Sequence, residues 1–76
     1  MSQNKESKIK VAELSLSEGI AIFGLDDYYK LEAKGYSTTE ILAFYKRDIV
    51  DVLKGTSLIR LNHPIRRKIR RMLVSG

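Results

Sequence analysis

The last seventeen residues of the chain, residues 60–76, contain six cationic side chains and no acidic one. The cationic side chains belong to Arg60, Arg66, Arg67, Lys68, Arg70 and Arg71. Guanidinium and ammonium groups bind carboxylate and phosphate oxygens, so this density of positive charge predicts recognition of an anionic partner. Acidic protein surfaces, nucleic acids and anionic lipids all present such oxygens.

Bond-making chemistry has little support in the sequence. His63 is the only histidine, and beside a proline it is expected to cap a helix or lie in a loop rather than bind a metal. Asp26 and Asp27 are adjacent, and adjacent helical positions point about 100° apart, so they do not read as paired catalytic carboxylates. Residues 54–57 lack the ordered glycines of a phosphate-binding loop. We therefore expect no enzymatic activity, cofactor, metal or small-molecule substrate.

Length and composition predict one small domain. The chain has 76 residues, of which 43% are hydrophobic and 30% are charged, and it contains no cysteine. A domain of this size does not enclose a large cavity, and the absence of thiols fits a reducing compartment. The longest apolar run, residues 19–25, is far too short to cross a membrane. We expect an intracellular protein, cytoplasmic or nuclear.

The net charge of +5 is unevenly distributed. Residues 1–10 carry three lysines and one glutamate, residues 11–59 carry five basic and eight acidic side chains, and residues 60–76 carry the six cations. The corresponding charges are +2, −3 and +6. An acidic middle and a basic end on one small domain predict that copies attract one another head to tail.

The periodicity of apolar residues predicts helices after a flexible polar segment at residues 1–12, with the helical domain at residues 13–76. The first helix is expected to start near Ser17 and to stop at Gly35, with a break at Gly24. Ser37 and Glu40 have the spacing of a capping box, which starts the next helix. A short helix through residues 41–45 and a second one starting at Asp48 are expected before Gly55.

A final helix is predicted at residues 63–74, with an apolar stripe formed by Ile65, Ile69, Met72 and Leu73. Arg66 and Arg67 lie off this stripe, so reversing their charge is expected to leave the fold intact. Residues 57–62 are the one weak candidate strand. The predicted core consists of Leu25, Tyr28, Leu31, Ile41, Leu42, Ile49, Val52, Leu53, Ile69 and Leu73. Tyr36 also follows the apolar pattern, whereas Tyr29 and Tyr45 have no assigned environment.

The order of these elements resembles the sterile alpha motif (SAM) domain. The motifs that carry the resemblance are Gly24-Leu25-x-x-Tyr28, Tyr36, Ile41-Leu42-Ala43-Phe44, Asp48-Ile49-x-x-Val52-Leu53 and His63-Pro64-Ile65-Arg66-Arg67-Lys68-Ile69. They cover about fifty residues in the family's order. The chain departs from the family at Gly19, Glu32 and Asn62, where the family has a tryptophan, a phenylalanine and a glycine, and the link at residues 54–61 is longer.

The resemblance implies a bundle of five helices with a longer basic last helix. Such domains mostly bind one another, with the start of the last helix docking onto an acidic middle, and a minority bind RNA hairpins or lipid. We therefore expect a protein-interaction module, homotypic or heterotypic. The expected basic face is Arg60, His63, Arg66, Arg67 and Arg70. The expected acidic face is Asp26, Asp27, Glu40, Asp48 and Asp51.

Two other partner classes stay open. Residues 35–41 also resemble the entry to the second helix of a helix-turn-helix regulator, which would make residues 66–71 phosphate contacts of a nucleic-acid-binding domain. An anionic membrane surface is the third class. It suits the basic face, but residues 60–76 have no Phe or Trp to insert.

Overall fold

Four α-helices make up most of the part of the chain that the structure describes. The computed structural model describes residues 8–55 and 63–74. The helices are α1 (Leu16–Phe23), α2 (Leu25–Ala33), α3 (Thr38–Lys54) and α4 (His63–Met72), and a short 3-10 helix, Val11–Glu13, precedes α1. The all-α class predicted from the sequence is confirmed.

Capping boxes start α1 and α3. In α1 the Ser15 hydroxyl accepts a hydrogen bond from the Glu18 amide at 3.2 Å, and the Glu18 carboxylate accepts one from the Ser15 amide at 2.9 Å. Ser37 and Glu40 make the same pair of bonds at 3.2 and 2.9 Å. Each box satisfies backbone donors that the first helical turn leaves unpaired. The box at Ser37 was predicted, whereas α1 begins before Ser17.

Glycines with positive φ end two of the helices as expected. Gly24 (φ 99°) separates α1 from α2, and Gly55 (φ 79°) follows α3. The predicted division of α3 into two short helices is wrong, because α3 runs unbroken for 17 residues. Asp48 therefore lies within a helix and caps nothing. The buried positions of α3 recur at helical spacing along one side, and they are Ile41, Tyr45, Ile49 and Val52.

The two ends of the described chain pair as a parallel two-stranded sheet. Strand β1 is Ile9–Lys10 and β2 is Leu73–Val74, with Ile9 opposite Leu73. Helix α4 therefore stops at Met72, two residues before its predicted end, because Leu73 and Val74 adopt the extended conformation of β2. Residues 8–12, which the sequence placed in a flexible segment, take part in the fold, and Val11 is buried. The candidate strand at residues 57–62 lies outside the described residues.

The core lies between α1, α3, α4 and the 3-10 helix. Its buried side chains are Val11, Leu14, Ile22, Phe23, Ile41, Tyr45, Ile49, Val52, Ile69 and Leu73. Five of these were predicted, and four other predicted members, Tyr28, Leu31, Leu42 and Leu53, pack half-buried against the core.

Two core predictions are wrong, since Leu25 is 53% exposed and Tyr36 is 38% exposed. Leu25 is the first residue of α2, a helix without a fully buried residue, and Tyr36 lies in the turn before α3. Helix α2 is attached at the side of the bundle rather than built into its centre. Helical periodicity marks apolar positions but does not tell whether a neighbouring element covers them.

Tyr45 fills the centre of the core. Its ring is fully buried and stacks on Phe23, with ring centroids 4.4 Å apart and planes 11° apart. Gly19 of α1 provides the space, because a Cβ atom there would lie 2.5 Å from Tyr45 Cδ2. The close approach of α1 to α3 therefore requires a residue without a side chain at position 19.

We expect Gly19→Ala to destabilise the protein by about 1–3 kcal/mol, as overpacking in a core does. Helix propensity alone predicts the opposite sign, since alanine is favoured over glycine inside a helix by about 1 kcal/mol. Thermal unfolding of both proteins tests the sign. A rise in melting temperature would show that the ring of Tyr45 is not confined by Gly19.

Candidate functional site

Helix α4 has an apolar side and a cationic side. Ile69 is buried, and Ile65 and Met72 are half-buried against the core. The exposed side carries Pro64, Arg67, Arg70 and Arg71. These positions are spaced by three or four residues, so they share one face of the helix.

Several cations near α4 bind backbone carbonyls at helix ends. Arg70 donates a hydrogen bond to the Val52 carbonyl oxygen at 2.9 Å, in the last turn of α3. Lys68 Nζ lies 3.4 Å from the Ala21 carbonyl oxygen, near the end of α1. Positive charge at a helix C-terminus satisfies unpaired carbonyls and complements the helix dipole. Part of the basic charge therefore connects α4 to its neighbours.

The predicted basic residues differ in their accessibility. Arg67 and Arg70 are exposed, whereas Arg66 is half-buried. Reversing the charge of Arg66 would place a carboxylate at a partly desolvated position, so the expectation of an intact fold applies to Arg67 and not to Arg66. Arg60 lies outside the described residues, and His63 is the first residue of α4 with a side chain that is not described.

The pairing of β1 with β2 places two lysines beside the C-terminal end of α4. Neither lysine belongs to the basic face predicted from the sequence. Lys8 and Lys10 are exposed, and Lys8 Nζ donates to the Arg70 carbonyl oxygen at 3.0 Å. We define the basic end as Lys8, Lys10, Arg67, Arg70 and Arg71. The alternation of lysine with Ile9 and Val11 was the sequence signal for this strand.

The predicted acidic face is divided between two helices. Asp26 and Asp27 lie in the first turn of α2, where negative charge complements the helix dipole. Glu40, Asp48 and Asp51 lie on one side of α3, at helical spacing. Asp26 and Glu40 are exposed and the other three are half-buried. The Glu40 carboxylate is also part of the capping box at Ser37.

A surface groove lies between the end of α2 and the middle of α3. It has a volume of about 290 Å³ and is lined by Leu31, Lys34, Tyr36, Phe44, Arg47 and Asp48. The rings of Tyr36 and Phe44 meet edge to face with centroids 4.8 Å apart. The groove combines apolar and charged side chains in its lining, and no sequence pattern predicted it.

The described residues contain no group of three or more His, Cys, Asp or Glu side chains that could hold a metal ion. Within the same residues, no helix is both long enough and apolar enough to cross a membrane. No protein-family model, curated protein or solved structure matches this chain. The functional proposal therefore depends on the geometry of the basic end.

We expect Arg70→Ala to lower the free energy of unfolding by about 1–2 kcal/mol, because the Val52 carbonyl loses a charged donor. Arg67→Ala is the matched control. Its side chain is exposed on the same helix face and makes no hydrogen bond or ion pair within the described chain, so the change should stay within about 0.5 kcal/mol. Denaturant unfolding measures both. Equal losses would contradict a structural role specific to Arg70.

Proposed function

We propose that this protein is a protein-interaction module that docks its basic end onto an acidic surface of a partner protein, either another copy of the chain or a different protein. The observation that carries the proposal is the placement of Arg67 and Arg71. Both are exposed on one face of α4, while the opposite face packs into the core through Ile69. The two residues are four positions apart, so their side chains leave neighbouring points on one face of α4.

The rigidity of α4 favours binding. From α4, Lys68 donates to a carbonyl oxygen of α1 and Arg70 donates to one of α3. Lys8, which precedes β1, donates to a carbonyl oxygen of α4. A cationic surface that is ordered before it meets its partner loses less conformational entropy on binding. Guanidinium groups can bind carboxylates in a bidentate manner, which gives directional contacts in addition to charge attraction.

The proposal includes a SAM-like arrangement of the helices. Support comes from the capping box that starts α3 and from the basic last helix that begins at His63 and Pro64. Two observations differ from what the resemblance implies: α3 is one helix instead of two, and Leu25 is exposed. The docking proposal depends on the basic end and would stand without the family relationship.

Nucleic acid is the second candidate partner, since Lys8 and Lys10 extend the positive surface of α4. In the helix-turn-helix alternative, however, the start of α3 would enter the major groove. Residues 38–43 include Glu40 and no cation, so they have no side-chain positive charge to attract phosphate, and the Glu40 carboxylate would repel it. A membrane partner has less support, because the exposed face of α4 has no large apolar residue to insert.

We expect Arg67→Glu with Arg71→Glu to leave the fold intact and to abolish docking through the basic end. The matched control is Lys30→Glu with Lys54→Glu, which changes the net charge equally at two exposed positions near helix ends. Molecular mass as a function of concentration, at low and high salt, reports the homotypic case. Association through the basic end should weaken with salt, because exposed charge pairs are screened.

Asp51→Lys separates protein docking from nucleic-acid binding. Asp51 is in the last turn of α3, where a lysine suits the helix dipole. In homotypic docking this variant should associate less, and mixing it with the doubly reversed variant should restore a dimer. If a mixed RNA and DNA pool is the ligand instead, Asp51→Lys should bind it more tightly and mixing should restore nothing.

A partner other than a second copy requires an acidic probe. Docking should then be measured on a helical peptide with several glutamates on one face, and a peptide with the same composition in scrambled order serves as the control. The docking proposal is wrong if the doubly reversed variant and the wild type behave alike with the protein itself, the glutamate peptide, the nucleic-acid pool and anionic vesicles.

A further inference from the structure

Helix α2 exposes two large apolar side chains that belong neither to the core nor to the basic end. Leu25 is 53% exposed and Tyr29 is 56% exposed. They are four residues apart, so they lie next to each other on one face of the helix. Asp26, beside them, is exposed as well. We name Leu25, Asp26 and Tyr29 the α2 knob.

The groove has features that match the α2 knob. Its apolar lining consists of Leu31, Tyr36 and Phe44, and two of its charged residues, Lys34 and Arg47, are exposed cations. An apolar side chain with a carboxylate beside it would bury against the aromatic rings while the carboxylate reaches a cation. The third charged residue, Asp48, is half-buried and disfavours a ligand with several negative charges.

We propose that copies of this chain associate by placing the α2 knob of one copy in the groove of the next. Leu25 occupies the apolar part of the groove, and the carboxylate of Asp26 pairs with Lys34 and Arg47. The α2 knob and the groove are complementary both in charge and in apolar surface. The Asp26 carboxylate fixes how the two copies align, and the buried Leu25 side chain contributes most of the affinity.

This contact joins two different surfaces of the chain. Leu25 and Leu31 are about 9 Å apart along α2, and Leu25 faces outward while Leu31 packs against the core. A copy whose α2 knob is occupied still has an empty groove, so the association is heterologous and continues to higher oligomers. No residue of the basic end takes part. Assembled copies would therefore present several basic ends to an acidic partner.

The experiment uses the full chain and measures its mass by sedimentation as a function of concentration. We expect the wild type to associate and Leu25→Ser or Arg47→Glu alone to weaken the association by about tenfold or more. Leu25→Ser keeps a functional groove, and Arg47→Glu keeps a functional α2 knob. A mixture of the two should therefore form a 1:1 dimer and stop there, an outcome that a folding defect cannot produce.

Two control variants test whether the loss of association is specific to the contact between the α2 knob and the groove. Lys54→Glu makes the same charge change as Arg47→Glu, on the same helix, at an exposed position outside both surfaces, and should associate like the wild type. Arg67→Glu with Arg71→Glu should also keep this association, because the basic end is not used. This doubly reversed variant distinguishes the two proposals. It should no longer dock through the basic end, but it should still associate through the α2 knob.

Three results would overturn the inference. One is a wild type that stays monomeric up to millimolar concentration. Another is self-association that Leu25→Ser and Arg47→Glu leave unchanged while Arg67→Glu with Arg71→Glu removes it, since the basic end would then make the contact. The third is failure of the mixture of Leu25→Ser with Arg47→Glu to form the dimer, although each variant unfolds at the wild-type temperature.

Discussion

The packing of Tyr45 against Gly19 and Phe23 is the contact on which the rest of the structure depends. A buried aromatic ring occupies more of a small core than any aliphatic side chain, and here it lies between α1 and α3. Its position sets how closely the two helices approach. In a chain of 76 residues a second independent core is not available, so α4 and the 3-10 helix complete the same one.

A second constraint arises from the ends of the helices. The last carbonyls of a helix lack an amide partner four residues ahead, and carbonyls near the ends of α1, α3 and α4 accept hydrogen bonds from cations elsewhere in the chain. Lys68 reaches α1, Arg70 reaches α3, and Lys8 reaches α4. Basic residues of α4 therefore contribute to the fold, in addition to the docking role that we propose for them. The surface available for docking is smaller than the charge count suggests, and it centres on Arg67 and Arg71.

The two proposals use two different surfaces of the protein. The basic end is polar and presents guanidinium groups, whereas the α2 knob and the groove combine apolar side chains with single charges. Contacts of the first kind are steered by charge and weaken with salt, and contacts of the second kind depend more on apolar burial. Together the two proposals describe a module that assembles through one surface and binds an acidic partner through the other.

The helices and several of their boundaries could be predicted from the sequence because they depend on neighbours in the chain. A capping box is formed by residues three positions apart, and a glycine with positive φ ends a helix through its own backbone, so Ser37, Gly24 and Gly55 could be assigned correctly. The helical spacing of Ile41, Ile49, Val52 and Ile69 likewise marked them as core. These features report local geometry, which the order of residues specifies directly.

Tertiary structure decided which side chains of the candidate site are accessible to solvent. Whether an apolar position is covered depends on which element packs over it, so the exposure of Leu25 and the burial of Tyr45 could not be inferred from periodicity. Whether an exposed arginine also holds the fold together, as Arg70 does, depends on which carbonyls lie within its reach. The lysines of the basic end come from the other end of the chain, 62 residues away for Lys8 and Arg70. The sequence by itself determined the helices, their caps and the strong positive charge of the last helix, and only the folded chain decided which of those charges face solvent, because that depends on contacts between residues far apart in sequence.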